Sequence, residues 1–298
     1  MEINIIRYHK IYFIISGLLV LASIFSLIFF GLKLGIDFIG GSLLQIEFKN
    51  ERLASEAIKE KLKVFDLGEI NTAPIGEKGV ILRFKDIDEE THQKILNSLD
   101  DKYPENIEEK KFESIGPLIG EELKRKSIWA IGLVILMIIL YIAYAFRNVS
   151  WPVASFKYGL AAILALIHDV LIPTGIFSFL GYWQGIEVNL LFITALLTIL
   201  GFSVHDTIVV FDRIRENLKR RIGRDFKETV NLSINQTITR SINTSLTVLL
   251  TLLAVYIFGG QSIKYFALTL IFGIIFGTYS SIFIASPLIV VWEGWKKR

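Results

Sequence analysis

An aspartate stands inside one apolar stretch of this chain, and an arginine lies near the start of the next. Asp206 falls within residues 190–211, LLFITALLTILGFSVHDTIVVF, and Arg240 within TITRSINTSLTVLL. An ionisable side chain costs roughly 2.5–3.5 kcal/mol at a membrane-helix centre on insertion scales. It persists mainly where it faces a protein interior or a watery path, often to move ions or protons. Around Arg240, residues Ser233, Thr237, Thr244, Thr247 and Thr251 recur at steps of three and four, with Gln236 and Asn243 at the border. That spacing lines them along one side of a helix, which should face a hydrated seam or a partner helix rather than lipid. Antiparallel neighbours would bring Asp206 and Arg240 to similar depth. Two readings stand: a static ion pair that fixes helix packing, or a switchable pair in which Asp206 takes a proton, Arg240 is released and a helix moves. The water access implied by the polar stripe favours the second.

Two His-Asp dipeptides occupy adjacent apolar stretches, His168-Asp169 and His205-Asp206. Successive helical residues diverge by about 100°, so neither pair aims all its groups at one point. Imidazole and carboxylate suit zinc or iron, but no helical H-x-x-x-H spacing exists, so no metal is expected. For His168 a structural hydrogen bond and a proton relay both remain open. A membrane aspartyl protease would need two acids sharing a proton. The sequences around Asp169 and Asp206 match neither the Tyr-Asp nor the Gly-x-Gly-Asp signature of the presenilin type. Gly273 and Gly277, followed by Ser281 and Ala285 at steps of four, predict close helix packing.

These groups need a membrane scaffold, and composition supplies one. The 298 residues are 52% hydrophobic with a net charge of +3, above the apolar share of soluble domains. Stretches near 11–31, 128–146, 158–181, 189–211, 238–258 and 265–292 are long enough to span a bilayer. The first has no small-residue cleavage site and reads as a retained helix. Without cysteine, disulfides, thiolate catalysis and cysteine metal sites are excluded. Arg7, Lys10, Arg147, Lys157, the basic 212–237 loop, Lys296, Lys297 and Arg298 fall on one side, and Lys264 on the other. Both termini and that loop are therefore expected in the cytoplasm. The basic loop reads as a topology signal and a contact for anionic lipid, not as a nucleic-acid site.

The expected organisation is an N-terminal tail and first membrane helix (1–31), an external α+β domain (32–127), and five further membrane helices (128–298) with the 212–237 loop. In the external domain, strands near 42–48, 69–73, 80–84 and 107–114 alternate with helices near 52–65 and 88–99. The order β-α-β-β-α-β is the ferredoxin-like split βαβ pattern. The domain is mildly acidic, with 20 acids against 16 bases. His92 is read as a solvated surface residue, and Gly40-Gly41 and Gly116-Pro117 as flexible joints. No catalytic constellation appears there, and no cofactor is expected.

Several motifs occur together in fixed order: Gly35-Ile36-Asp37-Phe38-Ile39-Gly40-Gly41, Gly116-Pro117 with Gly120, His168-Asp169-Val170, and SVHDTIVVFDRIREN at 203–217. With these the chain resembles the SecF family of bacterial protein-export subunits over nearly its whole length. The resemblance implies half of an RND-type transporter, paired with a SecD of six helices. The pair assists the SecYEG channel, uses the proton gradient, and grips emerging preprotein outside the inner membrane. The family's membrane aspartate falls on Asp206, followed by Thr207, and its fifth-helix arginine on Arg240. One departure is His205, where the family commonly has Asn: it either adds a titratable group beside Asp206 or replaces the Asn hydrogen bond as a neutral ring. The resemblance implies a transport subunit and not an enzyme. Two rivals are an RND-like exporter of small molecules and a purely structural subunit.

Overall fold

The computed structural model describes residues 3–50, 52–100, 107–146 and 155–296. They form two compact units, one joining Met1–Lys33 with Trp129–Arg298, the other Leu34–Ile128. Arg147, Lys297 and Arg298, used above for orientation, lie outside the described residues.

The first unit is helical. It holds α1 (His9–Phe29), most of α5 (Pro117–Ala145), α6 (Ser155–Gln184), α7 (Leu190–Lys219) and α8 (Phe226–Phe258). The last span is α9 (Gln261–Ser280), continued by a π turn (Ser281–Ala285) into α10 (Ser286–Lys296). Six of these spans are long and apolar enough to cross a membrane. In apolar surroundings every backbone N–H and C=O must be paired within the segment, and these long Leu/Ile/Val-rich helices achieve that. α6, α7 and α9 are the most buried helices, while α1, α5 and α8 present largely exposed faces.

The core of this unit is close-packed. Tyr158 and Phe211 meet edge-on at 5.3 Å, beside Phe146. Gly273 admits Ile199: a Cβ there would stand 2.1 Å from Ile199 Cδ1. Gly175 likewise admits Ser23 of α1. The chain start is strapped to α8. Asn235 Oδ1 accepts the Ile3 N–H at 2.9 Å, and the Asn231 and Asn235 amides both donate to the Ile3 carbonyl.

The expected loop at 212–237 is instead mostly helix, because α7 runs to Lys219 and α8 starts at Phe226. Asp225 caps α8 by accepting the Glu228 N–H at 2.7 Å, and Glu228 reaches back to the Arg224 N–H, a capping-box arrangement.

The second unit contains the short α2 (Ile36–Ile39), β1 (Gly41–Phe48), α3 (Ser55–Leu62), β2 (Asn71–Ile75), β3 (Gly79–Phe84), α4 (Glu89–Asp100) and β4 (Ile107–Ile115). Its antiparallel sheet has the order β2-β3-β1-β4, the expected ferredoxin-like topology. Alternate residues of β1 (Leu44, Ile46, Phe48) join Val80, Leu82 and Phe84 of β3 and Ile58, Leu62, Ile95 and Leu99 of the helices in one core. A bulge between Gln45 and Ile46 shifts the β1–β4 register.

Two expectations for this unit are corrected. His92 is buried, with 3% exposure. It shares the inward face of α4 with Ile95 and Leu99 and stacks on Phe112 of β4 at 3.7 Å between centroids. Gly40-Gly41 is a locked joint, not a flexible one. Both residues have positive φ (76° and 114°), and a Cβ would stand 2.7 Å from Pro117 Cα or 2.8 Å from the Phe84 carbonyl oxygen. A Cβ on Gly120 would lie 2.9 Å from the Gly40 nitrogen. Glycine alone tolerates this combination of left-handed backbone and contact.

Candidate functional site

The polar side chains of the membrane unit converge between α6, α7, α8 and α9. Asp206 of α7 is buried, at 8% exposure. Its Oδ1 accepts a hydrogen bond from Ser241 Oγ of α8 at 2.5 Å, and its Oδ2 is buried with no partner among the described residues. Charge-assisted hydrogen bonds are short and strong, but a carboxylate has four acceptor sites to fill. One donor leaves most of them empty.

Arg240 does not pair with Asp206. It lies on the exposed side of α8, one position before Ser241, and makes no ion pair among the described residues. The expected polar stripe is in fact two. Ser233, Thr237, Ser241 and Ser245 recur strictly every fourth residue and are buried. Arg240, Thr244, Thr247 and Thr251 recur beside them and are exposed. The inward row bonds to neighbouring helices: Ser233 accepts from Asn217 at 2.8 Å, Ser241 donates to Asp206, and Ser245 meets Thr278 Oγ1 at 2.5 Å. Sequence reasoning missed Ser241, Ser245 and Asn217. The four-residue period of serines and threonine was the available signal, and Arg240 drew attention from it.

The second carboxylate, Asp169 of α6, has 0% exposure. Three side chains surround it. His168 Nδ1 lies 2.8 Å from Oδ1, Ser280 Oγ of α9 donates to Oδ2 at 2.7 Å, and Ser203 Oγ of α7 donates to the same oxygen. Ser203 is one helical turn before Asp206, so the two carboxylates adjoin the same stretch of α7. Thr207 Oγ1 meets Ser281 Oγ of the π turn at 2.8 Å. Pro173 in α6 has no N–H to offer the Asp169 carbonyl four residues before it.

His205 points the other way. It is exposed and lies on the outer stripe of α7 with Thr194, Thr198 and Gly201. The two His-Asp dipeptides therefore do not form one metal site, and no group of three or more His, Cys, Asp or Glu residues suited to a metal occurs among the described residues. Ser203 and Ser280 donate to a carboxylate and not to His168. The Ser–His contact needed to activate a nucleophile is thus not formed at this cluster. Gly277 keeps α9 close to it, for a Cβ there would lie 3.3 Å from Ser203 Cβ and 3.7 Å from Asp169 Oδ2.

The arrangement is a buried row of carboxylates and hydroxyls beside an exposed polar helix face. Comparison with known proteins gives it a family. The profile "Protein export membrane protein SecD/SecF, C-terminal" matches residues 94–295, and the "SecD/SecF GG Motif" profile matches 25–51, which takes in the Gly40-Gly41 joint. The chain belongs to the SecD/SecF family. It is 46% identical to the protein translocase subunit SecF of Thermobaculum terrenum, over 98% of this chain and 94% of that one. It is 40% identical to the SecF of Anaerolinea thermophila, over 99% and 97%. The fold matches the crystal structure of SecDF from Thermus thermophilus with a TM-score of 0.83 at 33% identity, covering all of this chain and 39% of that one. The protein is a multi-pass membrane protein with a small antiparallel sheet after its first helix.

Proposed function

We propose that this protein is the SecF-type subunit of a Sec translocase. With a SecD partner it uses the proton-motive force to promote export of unfolded preproteins through SecYEG across the bacterial inner membrane. Its termini lie in the cytoplasm. The role is transport, without enzymatic chemistry or cofactor.

One observation carries the coupling part: among the described residues, Asp206 is a buried carboxylate with one donor and one bare oxygen, and Arg240 on the exposed face of the next helix has no ion pair. A buried charge with most of its acceptor sites unfilled is relieved by taking a proton. The exposed row Arg240–Thr244–Thr247–Thr251, with Asn243, is too polar for lipid, and it suits a partner helix across a hydrated seam. Arg240 is then the proposed counter-ion not of Asp206 in this chain but of an acceptor in SecD. A potential of 100 mV supplies about 2.3 kcal/mol per charge. That biases a two-state helix arrangement by tens-fold, so export of a long chain takes repeated cycles. His168, Asp169 and Thr207 line the region as relay or structural groups, His205 stands outside it on the exposed stripe of α7, and Gly273 and Gly277 hold α9 against α7.

The test is preprotein export in inverted vesicles carrying Asp206→Asn, with assembly checked in parallel. An assembled complex that no longer responds to the gradient supports the reading. Gradient-stimulated export that survives sinks it.

A further inference from the structure

Asp206 accounts for one buried carboxylate and leaves open what the second, Asp169, does. Asp169 is sealed from solvent, and the adjacent imidazole is its only ion-pair partner among the described residues. His168 Nε2 is buried without a partner among the described residues, and Phe276 and Tyr279 flank its ring. The titratable groups that face Asp169 are therefore His168 on its own helix, Asp206 from α7 and, against the His168 ring, Tyr279 from α9. Among the described residues no Lys or Arg pairs with Asp169, and its direct partners are the His168 ring and the Ser203 and Ser280 hydroxyls.

Those donors connect to an unusual backbone. Ser280 Oγ, which donates to Asp169, also lies 3.1 Å from the Gly277 carbonyl oxygen. The next residue opens the π turn Ser281–Ala285. Ser281 Oγ reaches Gly277 O at 3.0 Å as well as Thr207. At the far end, Ser286 Oγ donates to the Ser281 carbonyl at 2.9 Å. Pro287 follows and has no N–H for the Phe283 carbonyl, which favours a local change of register there. π turns inside α-helices recur at functional sites. This one begins at the hydroxyl pair that touches both Asp169 and α7, and it ends on a hydroxyl beside a missing amide.

We propose that Asp169 is a second proton-binding carboxylate, behind Asp206, and that the π turn Ser281–Ala285 is the element that responds to its charge. The inference deepens the proposed coupling role and rests on it. A proton from the bulk that settles on Asp169 Oδ2 turns that oxygen from acceptor to donor. The Ser280 hydroxyl is displaced onto the Gly277 carbonyl, the bonds that Ser281 makes to Gly277 and Thr207 compete with it, and the register of the turn changes. Loss of the proton to bulk water restores the starting arrangement.

Infrared difference spectra between neutral and acidic pH test this on the complex with SecD, using wild type, Asp169→Asn, Asp206→Asn and Ser280→Ala. A spin-label pair at positions 219 and 294 reports movement of α10 against α7, and the chain has no cysteine of its own to interfere. Two protonated-carboxyl bands are expected in the wild type, one lost in each aspartate variant. The label distance should respond to acid in wild type and Asp206→Asn, and stop responding in Asp169→Asn. An Asp169→Asn spectrum that keeps both bands, or a label response equal to wild type, overturns the proposal. If Asp169→Asn does not assemble, Ser280→Ala decides: it leaves the carboxylate in place and must shift the Asp169 band, and an unmoved band overturns the proposal. Failure of the Asp206 reading is separately visible, as surviving gradient-stimulated export in Asp206→Asn with the Asp169 band intact.

Discussion

Ser241 Oγ, not the Arg240 guanidinium, is bonded to Asp206, at 2.5 Å from Oδ1. One helical position separates the two candidates, and the 100° step between them decides which faces the carboxylate and which faces outward. Removing the hydroxyl in Ser241→Ala strips Asp206 of its single donor among the described residues, and hydrogen bonds to charged groups contribute about 1.5–3 kcal/mol. Gradient-stimulated export should fall by about tenfold or more, with Ser241→Thr retaining most of it. Equal export in Ser241→Ala and wild-type vesicles would remove Ser241 from the coupling site.

Arg240 should behave in the opposite way. With no ion pair among the described residues, its loss leaves the fold of this chain alone: Arg240→Ala should change stability by no more than about 0.5 kcal/mol, as for other surface positions. The complex with SecD should lose both affinity and gradient response. Thermal melts of the chain by itself and co-purification with SecD separate the two effects. A large drop in the melting temperature of the single chain would show that Arg240 serves this fold and not an interface.

Gly273 is a packing test. A side chain there must displace Ile199, so Gly273→Val should cost about 1–3 kcal/mol by overpacking. Ile199→Ala added to Gly273→Val should restore part of that loss, because the two residues share one volume. Strictly additive losses in the double variant would contradict this contact.

The α/β unit should have its own pH dependence. The Asp88 carboxylate caps α4 by accepting the Thr91 N–H at 2.9 Å, and bonds from Thr91 hold its pKa below the usual 3.8. Glu89 is held below 4.5, chiefly by Gln93 and then by His92. A depressed carboxylate stabilises the fold above its unfolded value, and that contribution is lost as pH falls through the folded value. Protection of α4 amides from hydrogen exchange should therefore hold from neutral pH down to about 4.5 and decline below it, with Asp88→Ala losing protection already at neutral pH. A decline centred well above 4.5 would point to other groups.

His205→Asn separates the two readings of this position. The ring is exposed and lies on the outer stripe of α7, so the exchange should leave assembly intact and the pH profile of gradient-stimulated export unmoved. A displaced profile would make His205 part of the proton path.

Much of this was legible in the sequence, for identifiable reasons. The six spans follow from apolar length. The split βαβ order follows from alternation in β1 and from the spacing of apolar residues in the helices. Asp206 was conspicuous because a carboxylate among leucines and valines is costly. Its partner was not legible, because apolar periodicity fixes a helix face only to within a residue or so, and Arg240 and Ser241 straddle that boundary. The helical continuation through 212–237 was hidden by its charge, although Asp225-x-x-Glu228 is a helix-start signature. His92 was masked by the acids around it, while its three-residue spacing to Ile95 and seven to Leu99 placed it on the core face. The closeness of Asp169 to Ser280, 111 residues apart, depends on how α6 and α9 pack, which no local pattern encodes.

The β4 rim has a consequence for the company this protein can keep. Lys110 pairs with Glu47 and Glu108, and Lys111 with Glu113, so the open edge of the sheet is lined with hydrated charge. A stray extended polypeptide could join that edge only by stripping water from these pairs, which blunts strand addition. At the β4 edge, charge thus keeps this sheet from growing by one more strand.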